Sequence, residues 1–173
     1  KDKSTGELTN ELVVMKAPYH AESWVIATNK EKIPEINTLG VFMYNKIGVE
    51  LDTLPDAHLT SSFMGKLRNN VIHYPSIITA IDDLKSGKIQ AVAGLKSQLE
   101  QQLKYNENKD KYFMTKKIDY VKSKWDIGIA VRTDYRALGY EIEGYIEDYI
   151  RTGVLKEIFS TYDVNYEIPL ALQ

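Results

Sequence analysis

Three histidines, His20, His58 and His73, are the first residues to weigh, because imidazole both ligates metals and moves protons near neutral pH. They are scattered. No two stand as HxxxH or HExxH, the spacing that places two ring nitrogens on one helix face for zinc. The 173 residues contain no cysteine, which excludes thiolate metal sites, disulfides and a cysteine nucleophile. Ser61, Ser62 and Ser76 lack a GxSxG elbow or an SxxK partner, so none reads as an activated nucleophile. Neither GxGxxG nor GxxxxGK followed by Ser or Thr occurs, so no phosphate-cradling loop is supported. The expectation is a protein that is not an enzyme, with no catalytic residues, no metal and no cofactor.

The charges say more about surface than about chemistry. Glu141, Glu143, Glu147 and Asp148 share a stretch with Leu138, Ile142, Tyr145, Ile146, Tyr149 and Ile150. The apolar residues recur at helical spacing, and the acids read as that helix's solvated face. Between Lys104 and Lys124 seven lysines meet three acids, whereas between Asp134 and Glu167 eight acids meet three bases. That asymmetry is either uneven surface decoration or a field that steers a partner. A net charge of −2 argues against a nucleic-acid binder, which would carry a strongly basic face. Twelve tyrosines stand against four Phe and two Trp. Tyrosine suits half-buried strand ends as well as clefts and interfaces; Tyr19 and Trp24 are the aromatics read as flanking a junction.

Elements must position these groups, and the pattern supplies them in alternation. Leu12–Met15 reads as a strand stopped by Pro18, and Ser23–Thr28 as a second. Residues 41–44 and 46–51 compete for the next strand. The second is preferred because Asp52-Thr53-Leu54-Pro55-Asp56 follows it: a cap at Asp52 or Thr53, then proline and a negative charge in the first turn of a helix running to about Leu67. Val71–Tyr74 is a strand, Thr79–Lys85 a short amphipathic helix with Gly87 as its C-cap, Ile89–Ala93 a strand with Gly94 as a turn, and Gln98–Tyr105 a helix. Strands at Tyr112–Met114 and Ile127–Val131 flank a hydrophilic connection, Thr115–Lys124. Helices at 138–150 and from Val154 close the chain, separated at Gly153, before a tail from Tyr162. Strand–helix alternation with short loops points to an α/β structure with a mostly parallel sheet flanked by helices.

Several stretches resemble bacterial extracellular solute-binding proteins of family 3. Lys46–Thr53 is similar to their strand and ligand loop. Tyr74-Pro75-Ser76 with Ala80–Val92 is similar to their next helix and strand, and Trp125–Arg132 with Gly153–Phe159 and Tyr162-Asp163-Val164 to their C-terminal part. Pro18-Tyr19-His20 resembles the segment before their crossover strand. The matches run in order over about 150 residues. The resemblance implies a periplasmic-binding-protein-like α/β lobe, exported to the periplasm or the extracellular space, that holds a small-molecule ligand against a second lobe and serves a membrane transporter. It implies that residues 1–30 are the end of a first lobe and a crossover strand, 31–131 the second lobe, and 132–173 the C-terminal helices and tail. The chain opens on Lys1 rather than Met, as after removal of a signal peptide or as part of a longer chain, and the resemblance implies that most of the first lobe has no counterpart in it. The implied ligand residues are Tyr19 near the hinge and Asp52, Thr53, Ser76 and Lys96 in the cleft. Asp52 stands where the family pattern has Gly, and Leu95 where amino-acid binders carry the Asp that pairs the ligand ammonium. A narrower resemblance, Leu54–Leu59 with Leu67–Tyr74, is to the J proteins linked to methanol dehydrogenases, and implies instead an accessory subunit docking on a periplasmic quinoprotein dehydrogenase.

Overall fold

In a computed structural model, residues 12–115 and 123–173 are described. The chain divides into two units, Lys1–Glu22 with Trp125–Gln173, and Ser23–Lys124. The hydrophilic connection expected at Thr115–Lys124 falls largely outside the described residues.

The unit Ser23–Lys124 is a sheet with helices packed on it. Strands β2 (Ile47–Glu50), β3 (Val71–Tyr74) and β4 (Ala91–Leu95) run parallel, with β2 between the other two. Residues Trp24–Thr28 of β1 (Val13–Asn29) then pair antiparallel with β4, and Ala27–Asn29 pair antiparallel with β5 (Tyr112–Met114). The order is β3-β2-β4-β1-β5, so the sheet is parallel in one half and antiparallel in the other. Each parallel strand feeds a helix: α1 (Leu54–Gly65) after β2, α2 (Ile77–Lys85) after β3 and α3 (Lys96–Leu103) after β4. On α2 the residues Ile77, Ala80, Ile81 and Leu84 recur at three- and four-residue spacing and all are buried. They meet Val25, Ala27, Val92, Leu99, Leu103 and Met114 in one core.

Gly94 is not the turn its residue type suggests; it lies inside β4. A Cβ there would sit 2.7 Å from Ile77 Cδ1, so the glycine is where the sheet lets α2 approach. The helix expected to reach Leu67 breaks earlier, because Ser62, Phe63 and Met64 leave helical geometry and the last two adopt positive φ.

In the unit Lys1–Glu22 with Trp125–Gln173, strand β6 (Lys124–Arg132) pairs with β1, and α4 (Arg136–Thr152) and α5 (Val154–Thr161) follow. Pro18 does not end a strand. β1 is one 17-residue strand that continues through it. Ala17 takes a φ of 48°, an irregular step of the kind that lets a strand accommodate a residue with no N–H to give. Opposite lies Gly128, whose added Cβ would come within 2.8 Å of the Lys16 carbonyl oxygen. Gly153 separates α4 from α5 at a φ of 83°, the expected left-handed break.

Candidate functional site

In α/β sheets, ligands favour the carboxyl ends of parallel strands, where helix starts present unpaired N–H groups. The loop leaving β2 builds such a place. Asp52 sits at a φ of 60°, Thr53 is the N-cap of α1, and Pro55 occupies its first turn. The Thr53 hydroxyl does not cap the helix; it donates back to the Glu50 carbonyl at 2.7 Å. Asp56 in the first turn reaches back past the cap. Its Oδ2 accepts the Asp52 N–H at 3.0 Å and its Oδ1 accepts the Thr60 hydroxyl at 3.0 Å, with His73 Nε2 of β3 2.9 Å from the same Oδ1.

An open pocket of about 440 Å³ lies here, lined by Asp52, Thr53, Asp56, Ala57, Thr60, Ser61 and Arg68. Two of the expected ligand residues, Asp52 and Thr53, are thus brought together. Ser76 and Lys96 belong to the same unit but not to this lining. Ser76 is the N-cap of α2, its Oγ accepting the Ile78 N–H at 3.1 Å. The neighbouring Ile77 N–H is taken by Glu50 Oε2 at 3.0 Å. Lys96 opens α3 and pairs with the buried Glu100 at 3.7 Å. Tyr19 lies on β1 in the other unit. Asp56, Thr60 and Arg68 were not singled out as ligand residues from sequence. The signal for two of them was present, since Asp56 and Thr60 stand four apart on one helix face.

Electrostatically the pocket sets two carboxylates against one guanidinium; the Asp52 N–H, just before α1, already serves Asp56, and outside the lining the Ile77 N–H at the start of α2 serves Glu50. The Asp56 side chain is only 14% exposed. Asp56→Ala is therefore expected to remove the acceptor of the Asp52 N–H and the Thr60 hydroxyl and to lower stability by about 0.5–1.5 kcal/mol. Asp56→Asn, which keeps an acceptor oxygen, is expected to recover part of that loss; urea unfolding of the three proteins measures both.

On α1, His58 sets its ring against the buried Trp24, tilted at 56° with ring centroids 5.6 Å apart. Burial lowers the His58 pKa below its ordinary 6.5, because the charged form is desolvated. The sign follows directly. The unfolded chain binds the proton more tightly, so this group's contribution is intact above pH 6.5 and is lost as pH falls below it toward the lowered value. His58→Leu is expected to flatten the fall in Tm between pH 7.5 and 5, read as the difference between variant and parent. On the far side of β3, burial chiefly, and then the hydrogen bond to Asp83, push Tyr74 up to about 12. Its hydroxyl stays protonated and structural. Among the described residues no group of three or more His, Cys, Asp or Glu could hold a metal ion.

No protein-family model matches the chain, and no curated protein matches it. Solved structures do. An ancestral cationic amino acid solute-binding protein superposes with a TM-score of 0.70 at 15% identity over 90% of this chain and 65% of its own. An amino acid ABC transporter substrate-binding protein from Streptococcus pneumoniae, bound to L-arginine, gives 0.65 at 15% identity over 97% of this chain and 65% of its own. A solute receptor for L-cysteine of Neisseria gonorrhoeae gives 0.57 at 21% identity over 87% of this chain and 57% of its own. The α/β fold is that of a periplasmic-binding-protein-like lobe, and the chain spans about two thirds or less of the solute-binding proteins it matches.

Proposed function

We propose that the chain is part of a non-enzymatic solute-binding protein that works outside the cytoplasm, holds a small ligand between two lobes and passes it to a membrane transporter. In this reading residues 1–30 carry the end of the first lobe and the crossover, 31–131 the second lobe, and 132–173 the C-terminal helices. The observation that carries it is the open pocket at the end of β2, on a fold shared with amino acid solute-binding proteins, one of them solved with L-arginine. Asp52, Thr53, Thr60, Ser61 and Arg68 offer one acid, three hydroxyls and one cation to a polar ligand. Asp56 takes the Asp52 N–H and adds a second carboxylate to the lining, and Leu95 offers no charge to an ammonium. The ligand head that fits this lobe is a hydroxyl or a cation rather than a carboxylate. Among the described residues no helix is long and apolar enough to cross a membrane.

A thermal-shift series on the two-lobed protein tests this, with arginine, agmatine (the same cation without the carboxylate), cysteine, acetate and glucose. At a hundred times its Kd a ligand adds about 2.7 kcal/mol, a shift of several degrees. Agmatine is expected to match arginine, and acetate to do nothing. No shift with any compound removes the transport reading.

One observation favours the second reading, an accessory subunit docked on a periplasmic quinoprotein dehydrogenase: the Asp52 N–H and the Thr60 hydroxyl of the pocket are already engaged by Asp56. Capture of such a dehydrogenase at low salt, where charge-steered contacts are strongest, supports it, and no co-elution there counts against it.

A further inference from the structure

The chain passes between the two units twice, after Glu22 on β1 and after Lys124 on β6. Within the unit Lys1–Glu22 with Trp125–Gln173 the two strands are gripped at two places. The first grip is α4. Gly139 faces Lys16 and Val131, with a hypothetical Cβ 3.5 and 3.6 Å from their side chains, and Glu143 pairs with Lys16 at 3.5 Å. A neighbouring side of α4 is open, Leu138 being 49% exposed. This grip lies toward the ends of β1 and β6 that are remote from the crossings.

The second grip is the tail after α5, and it holds the ends nearest the crossings. Ala21 donates its N–H to the Glu167 carbonyl at 3.1 Å, and the Glu167 N–H approaches His20 Nδ1 at 3.5 Å. The buried His20 ring lies 4.5 Å from Phe159 of α5 and 5.9 Å from Tyr166 of the tail, centroid to centroid. On β6, Asp126 accepts the Leu170 N–H on Oδ1 at 2.6 Å and the Ala171 N–H on Oδ2 at 3.0 Å. Those amides open a single turn, Leu170–Leu172, and a carboxylate laid across them makes charge-assisted bonds. Pro169, between the two attachments, is buried. His20, Ala21 and Asp126 each stand within three residues of a crossing, and one short stretch of tail ties them together. The tie is of the kind that releases. Ile168, Leu170 and Leu172 are 48%, 40% and 51% exposed, so no apolar face anchors it. A few polar contacts, one aromatic ring and one buried proline hold a segment that opens at low cost.

We infer that residues 166–171 are a latch on the crossings: while the stretch is seated, β1 and β6 bend there as one ribbon, and when it lifts each strand bends by itself. Hinges are a few residues at element ends that absorb large φ/ψ changes, and a segment bonded to both strands at that point takes the freedom away. The inference rests on the two-lobed reading, in which the latch governs how freely the lobes close. Asp126 is then a positioning residue. It lies in one unit while the pocket residues all lie in the other, so it acts through the strands and touches no ligand.

The test uses the product of the complete coding sequence. The 173 residues hold no cysteine, so Lys85→Cys on α2 and Glu147→Cys on α4, both exposed, place one spin label in each unit. With Asp126→Ala the distribution of label-to-label distances is expected to be broader by about half or more, as a freed hinge requires. Amides 20–22 and 125–127 are expected to exchange about tenfold or more faster, while α4 amides keep their rates. Asp126→Asn, which retains one acceptor oxygen, should fall between variant and parent. Pro169→Gly, which unseats the tail without touching β6, should reproduce both effects. An unchanged distribution in either Asp126→Ala or Pro169→Gly, α4 amides accelerating as much as those at the crossings, or equal broadening from Arg132→Ala at the far end of β6 would each overturn the inference. No ligand enters these measurements, so a thermal-shift series without a response removes the transport reading and leaves the latch to be decided on its own.

Discussion

Replacing Leu84 by alanine is expected to cost about 2–5 kcal/mol, the range for truncating a fully buried leucine. Leu84 is 0% exposed and sits on α2 in the core with Ile77, Ile81, Ile89 and Leu99, which belong to three different segments. Removing three carbons there loses their transfer free energy and leaves a cavity that the parallel strands beneath cannot close by a local shift. The measurement is a urea titration: the midpoint should fall with the slope unchanged, since the surface exposed on unfolding barely alters. The control is Leu138→Ala on the open side of α4, expected to change the same chain by about 0.5 kcal/mol or less. If the two variants cost the same, α2 is not the element that fastens this unit.

Gly128→Ala carries the second large effect, expected at about 1–3 kcal/mol and located in the other unit. The added Cβ would lie 2.8 Å from the Lys16 carbonyl oxygen and 3.6 Å from Pro18 Cα. The nearer obstacle is backbone and cannot rotate aside. Relief requires β6 to part from β1 just where Ala17 already holds a positive φ. Gly48→Ala makes a useful contrast: its nearest obstacles are Ile89 Cδ1 at 2.7 Å and Tyr74 Cε2 at 3.0 Å, side-chain atoms that can give. Hydrogen exchange should show Gly128→Ala accelerating amides of residues 16–22 and 125–131 while the core amides of β2 and β4 keep their rates. Acceleration spread evenly over both units would show that the strain is not local.

What sequence could and could not reveal follows from the range of the forces involved. The β2, β3 and β4 strands, the apolar face of α2, the Gly153 break and the short β5 were all readable, because each is written in local spacing or in a terminating residue; the start of α2 at Ile77, two residues before the expected Thr79, was not. Continuity of β1 through Pro18 was not, since it depends on Gly128 lying opposite, more than a hundred residues on. Gly94 misled for the same reason: its partner is Ile77, not a turn. At the site, the loop Asp52-Thr53 was legible from strand, cap and proline, yet the role of Asp56 was not. Its carboxylate is claimed by His73, and only the pairing of β2 with β3 puts that ring beside it. The α4 stripe was visible as apolar spacing. Its division into a packed side and an open one required knowing that Gly139, not Leu138, meets Lys16.

The contact of Trp24 with His58 makes the protein an optical instrument. The chain has two tryptophans, Trp24 in one unit and Trp125 in the other. A protonated imidazole quenches a neighbouring indole, so acidification should dim the emission from Trp24 selectively, while Trp125 reports on its own unit. With Trp125→Phe the remaining fluorophore becomes a built-in pH gauge of the region behind α1. Each unit's unfolding can then be followed by its own light, without any attached dye.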